Sequence, residues 1–269
     1  MSANLLSGFF LSVLLVQAAV VRAQEAPAVA IIIDDMGNHQ AQGFAALELP
    51  GAVTYAFLPY TPYAAALAEK AHALGKEVML HLPMDAYEGN ALGPGALTLH
   101  MTETKFKQTL WDDLNAVPHI SGLNNHMGSL LTQHPGAMGW IMQVLSEKWP
   151  GLYFIDSRTT RDTVAQHIAT EYSVPTTRRD VFLDNEPLAD AIEKQFSLLL
   201  KLARQQGFAV GIGHPYPQTV QVLQRVVKNL KSENIRLISA SAMIELQQRR
   251  KSWPEPSSPL LKVAKSSKQ

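Results

Sequence analysis

Short apolar runs bounded by turn residues recur along this chain and limit its fold more than any other feature: Ala28 to Ile33, Ala52 to Leu58, Glu77 to Leu82, Ile120 to Leu123, Leu152 to Ile155, Phe208 to Ile212 and Ile235 to Ile238. They are rich in Val, Ile and Phe without clean alternation, the pattern of strands buried on both faces. Helical patterns lie between them. Met138, Ile141, Met142 and Leu145 fall at i, i+3, i+4 and i+7, and Ile192, Phe196, Leu199, Leu200 and Ala203 repeat that spacing, so both stretches predict amphipathic helices. Gly75, Gly151 and Gly207 each stand between a helical pattern and the next strand, where a residue free to take positive φ ends a helix. Strands that alternate with helices at this interval pair in parallel, because each crossover returns the chain to the same edge. Seven or so repeats predict an α/β chain folded as a closed or nearly closed (β/α) barrel, with an open doubly wound sheet as the alternative. The segment from Val174 to Asp184 fits neither period.

The first residues differ in kind. An apolar run from Leu5 to Val21 ends in Val21-Arg22-Ala23, which predicts a secretory signal peptide over 1–23 and export to the periplasm; an uncleaved anchor is the alternative. No later stretch is long and apolar enough to span a bilayer, so no stable membrane span is expected after cleavage. Residues 24–250 are expected to form one domain, and the Pro, Ser and Lys composition of 251–269 reads as a solvated tail that builds no core. Lys plus Arg and Asp plus Glu are each 23, a balance that argues against nucleic acid as a partner. The chain has no Cys, so disulfides and thiolate metal sites are excluded and any metal must be held by His, Asp or Glu.

In a parallel α/β barrel, ligands bind where the strands end. The residues at those ends are Asp34-Asp35, His81, Asn124-Asn125-His126, Asp156-Ser157-Arg158 and His214. Each has a plain structural reading: Asp34-Asp35 as a turn and cap, His81 as a satisfied core histidine, Asn124 to His126 as a shaped turn, His214 as a helix cap. Arg178-Arg179 reads as a solvated or salt-bridged face. The joint pattern is harder to assign to turns alone. Imidazoles and carboxylates converging on one face are what a metal with an open coordination position requires; zinc fits, and two His with one carboxylate also suit iron, cobalt, nickel or manganese. If one of Asp34 and Asp35 binds the metal, the other is free to take a proton from water acidified to a pKa of about 7. The loop from Met84 to Met101 is long for a compact domain and reads as a lid or substrate wall, with Tyr60, Tyr63 and Tyr87 as candidate flat aromatic faces.

Six ordered motifs carry a resemblance: Ile31-Ile32-Ile33-Asp34-Asp35-Met36-Gly37, Phe57-Leu58-Pro59-Tyr60, His81-Leu82-Pro83-Met84, Asn124-Asn125-His126-Met127-Gly128-Ser129, Phe154-Ile155-Asp156-Ser157-Arg158-Thr159-Thr160 and Ile212-Gly213-His214-Pro215. From about Ala28 to Ala242 the chain resembles the divergent polysaccharide deacetylases, in particular periplasmic members of Gram-negative bacteria. The resemblance implies a distorted (β/α) barrel and a metal-dependent hydrolase that removes acetyl groups from a cell-envelope glycan. It implies Asp34 as base, Asp35 as metal ligand and His214 as the acid that protonates the leaving group, with Asp156 orienting a neighbouring charge; Asn125, Arg158 and Tyr60 are the expected substrate contacts. The wider superfamily places two His four residues apart in its second motif, whereas here His81 is followed at that spacing by Asp85. His126 is assigned the vacant ligand position, which makes Asp35, His81 and His126 the expected metal set and zinc the expected ion. A hydrolase of another bond, such as a phosphoester, and a non-catalytic protein that binds glycan or a protein partner on the same scaffold are the competing expectations.

Overall fold

Residues 25–87 and 91–252 are described by a computed structural model, with side chains described through Arg250. The expected signal peptide and all but the first two residues of the expected tail lie outside the described residues. Those two, Lys251 and Ser252, continue the last helix beyond the expected boundary at 250.

The apolar runs form strands β1 (Ala28–Met36), β2 (Thr54–Phe57), β3 (Glu77–Met84), β4 (Ile120–Met127), β5 (Tyr153–Asp156), β8 (Phe208–Gly213) and β9 (Arg236–Leu237), and the Val174–Asp184 segment adds β6 (Thr176–Arg178) and β7 (Val181–Phe182). Helices α1 (Gln40–Leu47), α2 (Ala64–Ala73), α3 (Glu103–Ala116), α4 (Pro135–Lys148), α5 (Ala165–Glu171), α6 (Ala189–Gln206), α7 (Pro217–Val226) and α8 (Ala240–Ser252) alternate with them. The sheet is parallel throughout, in the order β6-β5-β4-β3-β2-β1-β8-β7, and β9 adds two pairs to the start of β1. β6 and β7, at opposite ends of that order, are separated in sequence only by Arg179 and Asp180. Arg179 N donates to Asp156 O on one side, and Asp180 N donates to Val210 O on the other. The two short strands are thus halves of one broken stave that curls the sheet round on itself. Counted this way the barrel has seven staves with β9 a short addition beside β1; the seven expected runs included β9 and missed the broken stave, because the pairing of Val174–Asp184 changes partner midway and leaves no clear period.

Two apolar layers follow from strand alternation. Val29, Ile31 and Ile33 of β1 face outward with Leu80, Leu123 and Phe154, and pack under helices; α4 contributes Met138, Ile141, Met142 and Leu145, and α6 contributes Ile192, Phe196, Leu199, Leu200 and Ala203, all buried. Each such side chain, fully buried, stabilises the fold by about 1.5–3 kcal/mol. Ala28, Ala30, Ile32, Ala56, Met79, Ile155, Val210 and Ile212 face inward, and Met243, Ile244 and Leu246 of α8 close this inner column from the strands' amino ends. Gly75, Gly151 and Gly207 have φ of 67°, 104° and 86°, the left-handed conformation expected of them.

Candidate metal centre

The inner column changes chemistry as it nears the carboxyl ends. In steps of two, Ala30 and Ile32 lead to Asp34, Met79 to His81, and Val210 and Ile212 to His214, while Asn124 and His126 hold the inward positions of β4, next to outward Leu123. Asp35 should point away, but the register of β1 against β2 shifts between Ile33 and Met36 and Asp35 takes φ 54°. This local strain turns its carboxylate into the same mouth as Asp34. Tyr60, Met127 and Arg158 also take positive φ just past the ends of β2, β4 and β5 or at their last residue, so the rim as a whole departs from relaxed backbone.

Asp35, His81 and His126 converge. His81 Nε2 is 3.1 Å and His126 Nδ1 2.9 Å from Asp35 Oδ1, and the two nitrogens are 3.1 Å apart. Asp35 Oδ1 is buried and has no hydrogen bond of ordinary geometry. Among the described residues this is the one group of three or more His, Cys, Asp or Glu side chains whose ligand atoms come together. Three donors around a small divalent ion, with bonds of about 2.0–2.1 Å at tetrahedral angles, lie about 3.3 Å apart. The triangle therefore fits such an ion with little rearrangement. Asp85, at the position where a second histidine of the motif would stand, instead accepts from Leu99 N through its carboxylate (3.3 Å), and its carbonyl receives Leu130 N and Leu131 N. It anchors the long loop and stands apart from Asp35, His81 and His126.

The next layer fixes the first. Asn124 Nδ2 donates to Asp34 Oδ1 (2.8 Å), which leaves Asn124 Oδ1 facing His81 Nδ1 at 2.7 Å. His81 therefore carries hydrogen on Nδ1 and turns Nε2 toward Asp35, the arrangement a metal-ligating histidine needs. Burial works against charge on His81, but Asp34 and Asp35 outweigh it and raise its pKa to about 9. The field that holds a proton there favours a metal cation in its place. Burial likewise works against charge on Asp35, yet the His126 and His81 imidazoles beside it hold its carboxyl far below the ordinary carboxylate range. Asp34 goes the other way: burial raises its pKa, opposed by His81, His214 and Asn124. Its Oδ2 lies 3.7 Å from His81 Nε2.

His214 completes the mouth, with Nε2 3.8 Å from Asp35 Oδ2. Its Nδ1 is 2.9 Å from Asp184 Oδ1, and Asp184 Oδ2 accepts from His214 N (2.6 Å) and Thr219 Oγ1 (2.7 Å). Burial disfavours charge on the imidazole, and Asp184 with Asp35 and Asp34 more than compensates, so the pKa of His214 is raised. Asp184 was not visible in the sequence because it follows the broken stave. Arg179 was read as a solvated face; it is half-buried instead, donating from Nε to Ser157 O and from a terminal nitrogen to Arg158 O, and its charge reaches Asp34.

Four expected site residues stand apart from this cluster. Asp156 is at an outward position of β5; its carboxylate accepts Arg158 N (2.8 Å) and Thr163 Oγ1 (3.0 Å) and shapes the following turn without touching an imidazole. Asn125, outward on β4, receives Ser157 N (2.8 Å) on Oδ1 and gives Nδ2 to Met127 O (2.7 Å), so both ends of its amide tie strand ends together. Tyr60 is half exposed at the end of β2, its pKa pushed up to about 12 by burial and by Asp113 and Asp112. Arg158 sits at the turn after β5; burial raises the pKa of Asp156 and of Asp180, and the charge of Arg158 opposes that rise.

Residues 31–244 match the family described as divergent polysaccharide deacetylase. The chain belongs to that family. It is 39% identical over 215 residues to the uncharacterized protein YibQ of Escherichia coli, covering 80% of this chain and 66% of that one, just under two thirds of its length. An uncharacterized protein of Haemophilus influenzae is 36% identical over 209 residues, 78% of this chain and 74% of that one. Among solved structures, the uncharacterized protein ATU2773 of Agrobacterium tumefaciens has TM-score 0.78 at 22% identity, covering 82% of this chain and 90% of its own. The catalytic domain of the peptidoglycan N-acetylglucosamine deacetylase of Eubacterium rectale has TM-score 0.52 at 14% identity, covering 82% and 92%. BA3943 of Bacillus anthracis, a CE4 family pseudoenzyme, has TM-score 0.50 at 14% identity, covering 81% and 66%. The fold is thus shared by proteins described as active and as inactive, and the site of this chain has to carry the functional argument.

Proposed function

We propose that this protein is a metal-dependent hydrolase that removes acetyl groups from a cell-envelope polysaccharide in the periplasm. The observation that carries the reading is the buried, unbonded Asp35 Oδ1 between His81 Nε2 and His126 Nδ1, with Asp34 and His214 in the same mouth. Asp35, His81 and His126 would hold a divalent cation, zinc by its preference for this N and O donor set, which supplies Lewis acidity toward an acetyl carbonyl and the attacking water. Asp34 takes the proton of that water at Oδ2, its Oδ1 being held by Asn124. His214, kept protonated by Asp184, donates from Nε2 to the departing amine or alkoxide. Water and the acetylated sugar give acetate and the free sugar group, and the proton taken by Asp34 balances the one given by His214. Asn125 and Asp156 support this reading as positioning residues that fix the rim.

The test is elemental analysis of the purified protein alongside acetate release from acetylated glycans. The reading requires about one metal per chain, lost in His81→Ala and in His126→Ala, and metal-dependent acetate release. A protein that takes up none of zinc, manganese, nickel or cobalt and still binds peptidoglycan fragments would establish the non-catalytic binding function instead.

A further inference from the structure

We infer that a groove beside His214, walled by Tyr216 and Phe182, seats a neutral sugar ring of the substrate; the inference rests on the deacetylase reading and adds where, and by what chemistry, the glycan is held. The groove has a volume of about 350 Å³ and is lined by Phe182, Asp184, Asn185, Pro187, His214, Tyr216 and Gln218. That is at the small end of the roughly 300–1,000 Å³ of ligand sites. Tyr216 is 39% exposed and lies nearly parallel to His214, with ring centroids 5.3 Å apart at 26°. Phe182 approaches the same imidazole at 5.5 Å and is backed by the Arg179 guanidinium 4.8 Å from its ring. An exposed aromatic face held in place by its neighbours suits the C–H face of a pyranose.

The polar lining suits a neutral ligand. Asp184 is the charged group in the groove besides His214, and both its oxygens are already engaged by His214 and Thr219. Asn185 and Gln218 are exposed amides, which offer donors and acceptors to hydroxyl or acetamido groups but no cation to a phosphate or carboxylate. A neutral sugar meets both the aromatic face and the amides of this groove, whose cationic group, His214, is already paired with Asp184. The same ring placement sets the leaving oxygen or nitrogen beside His214, the residue that protonates it.

The experiment uses the full metal-supplemented chain with two probes, an N-acetylchitooligosaccharide and 4-nitrophenyl acetate, an acetyl ester without a sugar. In Tyr216→Ala, kcat/KM for the oligosaccharide should fall at least about tenfold more than that for the ester, mainly through KM, with recovery in Tyr216→Phe, which keeps the ring; Gln218→Ala should move the ratio in the same direction by less. Equal losses on both probes would overturn the groove while leaving deacetylation intact. If the wild type released acetate from neither probe, the deacetylase reading would fall, and binding of the oligosaccharide followed by NMR would then decide the groove alone. Binding that disappears in Tyr216→Ala sustains it, and absence of binding to the wild type refutes it.

Discussion

The two ends of the barrel each place a carboxylate at a strand terminus, and the two are partnered in opposite ways. At the amino ends, Glu77, the first residue of β3, accepts from Thr54 Oγ1 (2.9 Å), Ala240 N (2.8 Å) and, more weakly, Ser241 N (3.3 Å). Its donors are a hydroxyl and the first amides of α8, so it caps the helix that closes the inner column. At the carboxyl ends, Asp35 meets two imidazole nitrogens and keeps a buried oxygen without a hydrogen bond. A carboxylate saturated by backbone amides belongs to the scaffold. One surrounded by nitrogens that can ligate has the donor set to hold a cation. Cavity size does not make this distinction: the cleft at the amino ends, lined by Glu77, Trp149 and Tyr153, measures about 570 Å³ and is larger than the groove beside His214.

The sharpest way to break the contrast is to remove the ligand-bearing oxygen at the carboxyl end. Asp35→Asn should lose the metal and all acetate release while the fold persists, because the substitution keeps the side chain's shape and removes a charge that burial opposes; elemental analysis and circular dichroism report the two halves of that statement. Next in size is Asp34→Asn, for which acetate release should fall by about 10²- to 10⁴-fold, the usual contribution of a general base, with metal content unchanged. Loss of metal in Asp34→Asn would move Asp34 from the base to the ligand set.

A third test concerns the pH profile. The reaction needs Asp34 ionised and His214 protonated, so activity should rise with pH through the raised pKa of Asp34 and fall again through the raised pKa of His214. Asp184 is a principal cause of the second shift. In Asp184→Asn the carboxylate that holds the His214 proton is gone, the folded pKa drops, and the alkaline limb of kcat/KM should move to lower pH while the acid limb stays in place. A profile whose alkaline limb did not move would take His214 out of the acid role.

Much of this arrangement was legible because strand ends are marked by composition. Asp34, Asp35, His81, His126 and His214 interrupt apolar runs, and the parallel alternation brings such interruptions to one face. Which way each residue points was not legible. Asn125 and Asp156 stand one position out of phase with Asn124 and Ile155, and this single step sends them to the outer side, where they bond to backbone and to Thr163. Asp35 is out of phase too, and only its φ of 54° returns it. Such a bulge leaves no trace in hydrophobic periodicity, so the difference between Asp35 and Asp156 needed coordinates. Asp184 and Arg179 were hidden for another reason: a stave divided between two neighbours shows runs of two and three residues, too short to carry a period.

The smallest expected effect comes from making the same chemical change at the other end. Glu77→Gln replaces a carboxylate by an isosteric amide, as Asp35→Asn does, but the donors around Glu77 need only an acceptor, and the amide oxygen still provides one for Ala240 N and Thr54 Oγ1. What is lost is the charge assistance of those bonds and its interaction with the start of α8, on the order of 0.5–1.5 kcal/mol. Glu77→Gln should therefore lower stability to urea slightly, with metal content and acetate release at wild-type levels. If it instead reduced metal content, the two ends would be coupled through the inner column, and the division between a scaffold end and a reactive end would have to be given up.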